Sequence, residues 1–478
     1  MVVQRAGLYD EAVTWNRREV LAALGVGAAQ ALVACTRTQA PIARPSVDPD
    51  EVRTWLRDAV ARLHAAGFTH AHALAVTRRR TRAALDPLGA GVARGRSDGV
   101  VLATGSAEQV TSELSQAGVL AAVRALTGKL AAPARLDFGP PPPPVPVPKH
   151  LADYELLDRV GALAARDQEL SSRIVYSAAQ IDLDDAHVWA VGVGHDLEQR
   201  TVRIKRSVTR VAWNGTRPVI SEVSRAWSGA AVEERDLTDA EILMARENAL
   251  ALMTPTAFPD GEHAIALDPS VVAVLVDAAT RTLLTSAAAR RPEVARRLAI
   301  GRRVASALLT LTDDPLAKAS YGGYAFDDLG APATATTLLD HGQVVGVLAP
   351  RSRPGHIGPL EAAPSHLRLA PGTGILGLDE GFYLEGGASA VVDPASDHVV
   401  VAAARAREYK AGTRTGRIYA DVEIAGELGA LLASVNAVAS DTATLGLRDE
   451  RDGLPRFRSI EAPALRARGT LRARRRPA

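Results

Sequence analysis

The 478-residue chain has a single cysteine, Cys35. An intrachain disulfide is therefore impossible, and a cysteine-rich metal site is excluded. Aromatics are scarce, with six Phe, five Trp and eight Tyr, too few for a base-stacking platform. Charge of one sign is lacking too: 56 basic against 54 acidic residues leave a net charge of +2. Neutralising a phosphate backbone needs an excess of cations, so nucleic-acid binding is not expected as the main task. No run of about 20 apolar residues occurs, which argues against a polytopic helical membrane protein. What remains is a folded globular composition, 47% hydrophobic and 23% charged. At roughly 150 residues per domain the length allows two or three domains.

The first stretch reads as a targeting signal. Arg17 and Arg18 precede an apolar segment from Val20 to Ala34, which ends in Leu32-Val33-Ala34-Cys35. That segment is short for a bilayer span and falls in the signal-peptide range. It resembles a twin-arginine export signal followed by a lipobox. The resemblance implies an exported, envelope-located chain that touches the membrane only through lipid on Cys35. One acyl chain anchors only marginally, so further chains on the same cysteine are expected. The alternative is an ordinary N-terminal helix in a cytoplasmic chain.

The rest divides by composition: a signal at 1–35, a tether at 36–49, an N-terminal α/β region at 50–138, a Pro-rich linker at 139–150, a middle α/β region at 151–260, a C-terminal region at 261–468 and an Arg-rich tail at 469–478. Apolar residues at helical spacing predict helices over 50–63, 108–130, 151–170 and 236–252. A short strand is expected over 71–76 and a strand pair over 91–104. Further strands are expected over 172–180, 187–193, 201–213 and 217–227, with a hairpin turn at Asn214-Gly215. The prolines of 139–150 favour extended polyproline II and read as a stiff spacer. The last part mixes one long helix with many short strands. The fold class is α+β: an N-terminal α/β region, then a C-terminal region rich in antiparallel strands. The tail, including Arg466 to Arg476, reads as a frayed, solvated end.

No catalytic constellation stands out from the residues alone. His-Glu-x-x-His, Gly-x-Ser-x-Gly and phosphate-loop patterns are absent. Gly322-Gly323 and Gly386-Gly387 lack the lysine that a phosphate loop needs. His70 and His72 could share a strand face. Two carboxylate pairs, Asp313-Asp314 and Asp327-Asp328, could bind a hard cation or share a proton. They could equally be turn formers.

Several ordered stretches resemble the TldD/PmbA family. They are Ala266 to Leu275, Arg302 to Ser306, Thr312 to Pro315, Phe326 to Pro332, Thr336 to Gly342, Pro364 to Gly372 and Gly416 to Leu428. The likeness covers about 240–465. The resemblance implies a metal site of the form His-Glu-x-x-x-His on the helix after the first stretch, with a late cysteine. The corresponding positions here are Val276, Asp277 and Arg281, and no late cysteine exists. Val276 cannot ligate, and Arg281 puts a fixed positive charge where the second ligand would stand.

This pattern resembles the PmbA/TldE-type subunit. The resemblance implies no metal or other cofactor in this chain and a TldD-type metallopeptidase partner that binds a divalent metal. The pair would degrade or trim a peptide held in extended form by strand addition. Two alternatives stand beside this. The chain could be a divergent peptidase working through Asp313, Asp314, Asp327 and Asp328, or a stand-alone envelope peptide-binding lipoprotein.

Overall fold

The computed structural model describes residues 48–474 apart from short stretches at 106, 141, 144–150, 167–172, 214–217, 230–234, 254–257, 350–361, 375 and 452–453. Arg17, Arg18, Cys35, Asn214-Gly215 and most of the Pro-rich run lie outside the described residues.

The N-terminal half is built from α1 (Pro49–Ala65), β1 (His72–Asp86), β2 (Gly89–Ala103), β3 (Glu108–Thr111), α2 (Gln116–Thr127), α3 (Asp153–Ala165), β4 (Ile174–Gly192), β5 (His195–Trp213), β6 (Pro218–Ser228) and α4 (Asp239–Ala251). Asp48 and Pro49, assigned to the tether, are instead the cap and first residue of α1: the Asp48 carboxylate accepts from Asp50 N at 3.0 Å. Thr238 and Glu241 form a reciprocal capping box on α4.

All six strands pair antiparallel in the order β3-β2-β1-β4-β5-β6. The regions on either side of 139–150 therefore share one sheet through the β1–β4 pairing. The Pro-rich run joins two parts of one layer, not two separate layers. Several expected breaks are absent as well. The expected strand pair over 91–104 is one strand, β2, whose partner is an extended β1. The two segments at 172–180 and 187–193 are one strand, β4. The charged residues Asp182, Asp184 and Asp185 look like a loop in sequence, but arginines on β1 and β5 match them across the sheet.

Side chains alternate faces along a strand. Ala73, Ala75 and Ala83 of β1, with Ala179, Ile181, Trp189 and Val191 of β4, face helices α1 to α4 and bury Leu56, Leu63, Val123, Leu156 and Ile242. The intervening residues Leu74 and Ala190 pack on Phe326 of the C-terminal half. The sheet is thus covered on both faces.

The C-terminal half comprises β7 (Gly261–Leu267), α5 (Pro269–Leu283), α6 (Ser286–Ala289), α7 (Pro292–Arg297), β8 (Leu311–Asp313), β9 (Thr336–Asp340), β10 (Gln343–Val344), β11 (His366–Leu369), β12 (Glu380–Val392), β13 (His398–Lys410), β14 (Thr413–Glu427), α8 (Leu428–Ala433), β15 (Ala437–Arg451) and β16 (Leu454–Ala473). β12 to β16 are longer than the short strands expected. The sheet runs β10-β9-β8-β11-β16-β14-β13-β12-β7, and β7 pairs with β16 again. Strands β7, β12, β13, β14 and β16 therefore close on themselves.

Residues Val271 to Ala278 of α5 are all buried. A helix apolar on every side belongs inside a core. Asp268 caps this helix, accepting from Val271 N at 2.8 Å and Ser270 Oγ at 2.7 Å. Burial pushes the Asp268 carboxyl above its usual range, and its hydrogen bonds oppose the shift. Gly386 N and Gly387 N donate to Asp268 and Ser270, so this glycine pair seats β12 on the start of α5.

The Arg-rich end is not frayed as far as Ala473. On β16, Leu465, Ala467 and Leu471 are buried. The alternate residues Arg466, Arg468 and Arg472 bond Asn436 at 2.8 Å, Glu262 at 3.1 Å and Glu423 at 3.3 Å. A run of arginines reads as tail in sequence; strand alternation turns every second position outward, where neighbouring strands supply partners.

Candidate functional site

Helix α5 carries the three positions singled out by sequence. Asp277 is 3% exposed. Its Oδ1 accepts from Arg458 Nε of β16 at 2.8 Å and its Oδ2 from Arg281 Nε at 2.9 Å. Arg458 also reaches Asp449 of β15 through Nη1 at 2.8 Å. A buried carboxylate needs such partners, because an unpaired buried charge is strongly unfavourable. Val276, one residue back, lines a cavity of about 720 Å³ whose walls are mostly apolar, including Leu283, Leu309 and Leu339, with Arg297, Arg302, Arg303 and Asp397 also on its lining.

These side chains do not fit a divalent cation. Val276 offers no donor and faces mostly apolar walls. Both Asp277 oxygens are occupied by guanidinium groups, and those fixed positive charges repel a metal ion. Among the described residues no group of three or more His, Cys, Asp or Glu is placed to hold one.

The carboxylate pairs are brought together in part. Asp313, Asp327 and Asp328 line one cleft of about 190 Å³, with Asp314 outside it. Asp313 is buried and accepts at Oδ1 from Ser365 N (2.9 Å), Ser365 Oγ (3.0 Å) and His366 N (2.8 Å). Burial pushes its carboxyl upward, and these hydrogen bonds pull against the shift. Asp314 and Asp327 close turns, bonding Leu316 N at 3.1 Å, and Leu329 N and Ala331 N at 3.0 and 2.8 Å. Asp328 is shifted upward, by crowding from the surrounding protein first and by Asp327 second.

Sequence reasoning missed the neighbour of this cleft. His366 Nδ1 lies 2.7 Å from Ser459 Oγ, which lies 2.8 Å from Ser320 Oγ. His366 Nε2 stands 3.6 Å from Glu461 Oε2. The composition resembles a nucleophile with its base, but Ser459 is fully buried. Burial also lowers the His366 pKa, while Glu461 and Asp313 oppose that shift. The group is a polar knot joining β11 to β16 and the loop at Ser320. Only the parallel pairing His366↔Ser459 brings its members together. His70 and His72 do not share a strand: His70 lies exposed in the turn before β1, and His72 is buried.

A single buried helix ringed by a closed set of strands, with a mixed sheet extending from it, defines the class: an α+β chain whose C-terminal domain is of the PmbA/TldA metallopeptidase type. Residues 260–471 match the family model described as the PmbA/TldA metallopeptidase C-terminal domain. A metalloprotease of Methanocaldococcus jannaschii is 24% identical over 217 residues, 42% of this chain and 48% of that protein. The alignment thus spans about half that relative's length. A metalloprotease of Methanothermobacter thermautotrophicus is 25% identical over 324 residues, 63% of this chain and 68% of that protein.

Among solved structures, TldE from Thermococcus kodakarensis superposes with a TM-score of 0.64 at 14% identity, covering 86% of this chain and 99% of that one. A Bacteroides thetaiotaomicron protein described as a modulator of DNA gyrase gives 0.66 at 15% identity, covering 89% and 99%. These likenesses establish a shared fold. Residues 260–471 thus form a PmbA/TldA-type C-terminal domain, and the chain as a whole is similar in fold to the TldE structure.

Proposed function

We propose that the chain is a non-catalytic, TldE-like subunit of a peptidase complex, whose TldD-type partner holds the metal and cleaves or trims peptides. One observation carries this reading. Where the family resemblance calls for metal ligands on α5, the chain has Val276 against mostly apolar walls and Asp277 held between Arg458 and Arg281. An extended peptide would add to a sheet edge. Candidate edges are β3 and β6, and β15, which pairs only with β16 among the described residues. The proposal includes export and lipid anchoring at Cys35, motivated by Arg17, Arg18 and the lipobox-like Leu32 to Cys35.

The test has two parts. Metal content of the purified chain is measured by elemental mass spectrometry after exposure to zinc and iron. Peptide cleavage is then assayed with the chain alone and with a TldD-type homologue from the same genome. Substoichiometric metal, no cleavage alone and faster cleavage by the mixture are expected. A second reading rests on the cleft that gathers Asp313, Asp327 and Asp328: a hydrolase in its own right. One tightly held ion per chain, or cleavage by the chain alone that Asp328→Asn abolishes, would replace the first reading with the second.

A further inference from the structure

The face of the six-stranded sheet that meets the C-terminal half carries an unusual concentration of arginine. Arg80 of β1, Arg203 of β5, Arg448 of β15, Tyr321 and Phe457 of β16 line a cavity of about 280 Å³ between the two halves. Three guanidinium groups surround one ring: Arg203, Arg78 and Arg448 lie 4.6, 5.9 and 5.8 Å from the centre of Phe457. Each cation gains from the ring face, but like charges at this spacing repel one another.

Carboxylates do not balance them. Asp182 is taken by Arg82 at 2.7 Å. Arg94, also on the wall, is taken by Asp153 at 2.9 Å. Asp184 serves both Arg78 and Arg80, at 3.4 Å from each Nε. At those contacts Arg78 Nε, Arg80 Nε and both Asp184 oxygens are buried without a hydrogen bond. Among the described residues Arg203 donates only to the carbonyls of Tyr321 and Gly323, at 2.9 and 3.2 Å. Arg448 has no carboxylate partner among the described residues. Asp182 and Asp184 both line the cavity, and Asp328 also acts on Arg78, so Arg78, Arg80, Arg203 and Arg448 still outnumber the carboxylates left to balance them.

The strain registers in the ionisation of these groups. Arg203 is pushed down to about 10, by burial first, with Asp184 opposing and Arg78 adding to the fall. Burial raises the Tyr321 phenol, which keeps its proton and remains a donor. A partly enclosed cavity with surplus guanidinium forks and unmet buried donors has the chemistry of an anion site.

We propose that this cavity binds a small multivalent oxyanion of the phosphate class, with Arg80, Arg203 and Arg448 of its lining sharing its charge. Residues from both halves line the site, so the bound anion ties the N-terminal sheet to the C-terminal domain. None of these residues belongs to the α5 arrangement, and the proposal stands or falls independently of the peptidase-subunit reading.

Isothermal titration of the full chain with inorganic phosphate, at ionic strength held constant with sodium chloride, tests it. Saturable binding of one ion per chain is expected. Arg448 is exposed, so Arg448→Gln should fold, and it should weaken binding by about tenfold or more, the loss of one charge-assisted contact. Arg472→Gln, on a distant stretch of β16, should leave binding unchanged. Repeating the titration with glycerol phosphate separates the sources. Equal or tighter binding assigns the site to a phosphoryl group on a larger molecule, and binding of the free ion only assigns it to inorganic anion; both support the proposal. Heat indistinguishable from a chloride control, or equal affinity in Arg448→Gln and the parent chain, would overturn it.

Discussion

At the scale of single residues, the most consequential position is Asp277. Its carboxylate sits in the core only because Arg458 reaches it from a residue 181 positions away. Arg458→Met removes that partner and leaves Arg281, whose side chain is 43% exposed, as the remaining cation. Breaking a buried pair typically costs about 3–5 kcal/mol, whereas replacing both members with apolar groups can be neutral. Urea unfolding should therefore show a loss of about 3 kcal/mol in Arg458→Met and recovery of most of it in Arg458→Met with Asp277→Leu. An unaltered midpoint in the single variant would show that the pair does not hold α5 to β16.

His366 makes a pH-dependent prediction. Burial holds its pKa below the ordinary value of about 6.5. The unfolded chain takes up a proton at that ordinary value, and the folded chain resists until lower pH. Stability is thus lost as pH falls from about 6.5 toward the folded value. His187 is shifted the same way, chiefly by burial. Asp313 and Asp268 are shifted upward and oppose the trend at lower pH. The comparison is therefore between variant and parent at matched pH. Urea midpoints at pH 7.5 and 5.5 should differ less in His366→Gln than in the parent, and equal differences would remove His366 from the account.

At the scale of elements, the apolar period placed most helices, but the helix expected over 108–130 begins only at Gln116, because Glu108–Thr111 pairs with β2 as the edge strand β3. The expected helix over 236–252 is α4, Asp239–Ala251, with Thr238 as its cap. The continuous apolar run after Asp268 is the buried helix α5. Strands were legible where one face is apolar and the other polar. They were misread where charges stand on a face that is itself covered. β4 is the clearest case: Asp182 and Asp184 suggest a loop, and only the arginines across the sheet on β1 make a continuous strand tolerable there. The Arg-rich end failed for the same reason in reverse, since its arginines occupy alternate positions of β16 against carboxylates on β7 and β14. The glycine pair Gly386-Gly387 lacks the lysine of a phosphate loop in sequence. In the fold it is a close approach: a Cβ on Gly387 would come within 2.2 Å of Ser270 O.

At the scale of the whole molecule, the two halves meet across the face of the six-stranded sheet opposite its helices. Phe326 is the apolar anchor, 5% exposed and packed on Leu74 and Ala190. Gln199 brackets the same loop, donating to Phe326 O at 3.1 Å and accepting from Ala325 N at 2.7 Å. Phe326→Ala should cost about 3–5 kcal/mol and loosen the coupling of the halves. All five tryptophans lie at or before Trp227, so their fluorescence reports the N-terminal half, whereas circular dichroism reports both. In Phe326→Ala the two signals should unfold at separate urea midpoints. A single shared transition, as a strongly coupled chain shows, would mean that Phe326 does not join the halves.

The sequence by itself determined the fold class, a helix carrying 276–281, the family likeness and the replacement of the expected metal ligands by Val276, Asp277 and Arg281. Those are matters of residue type and local period, which a chain carries along its length. Tertiary structure alone decided that Asp277 is clamped by Arg458, that His366 meets Ser459 and that arginines from β1, β5 and β15 converge on Phe457. Period and composition state which faces are buried. They do not state which charges will meet, because that depends on strand order and on the packing of one half of the chain against the other.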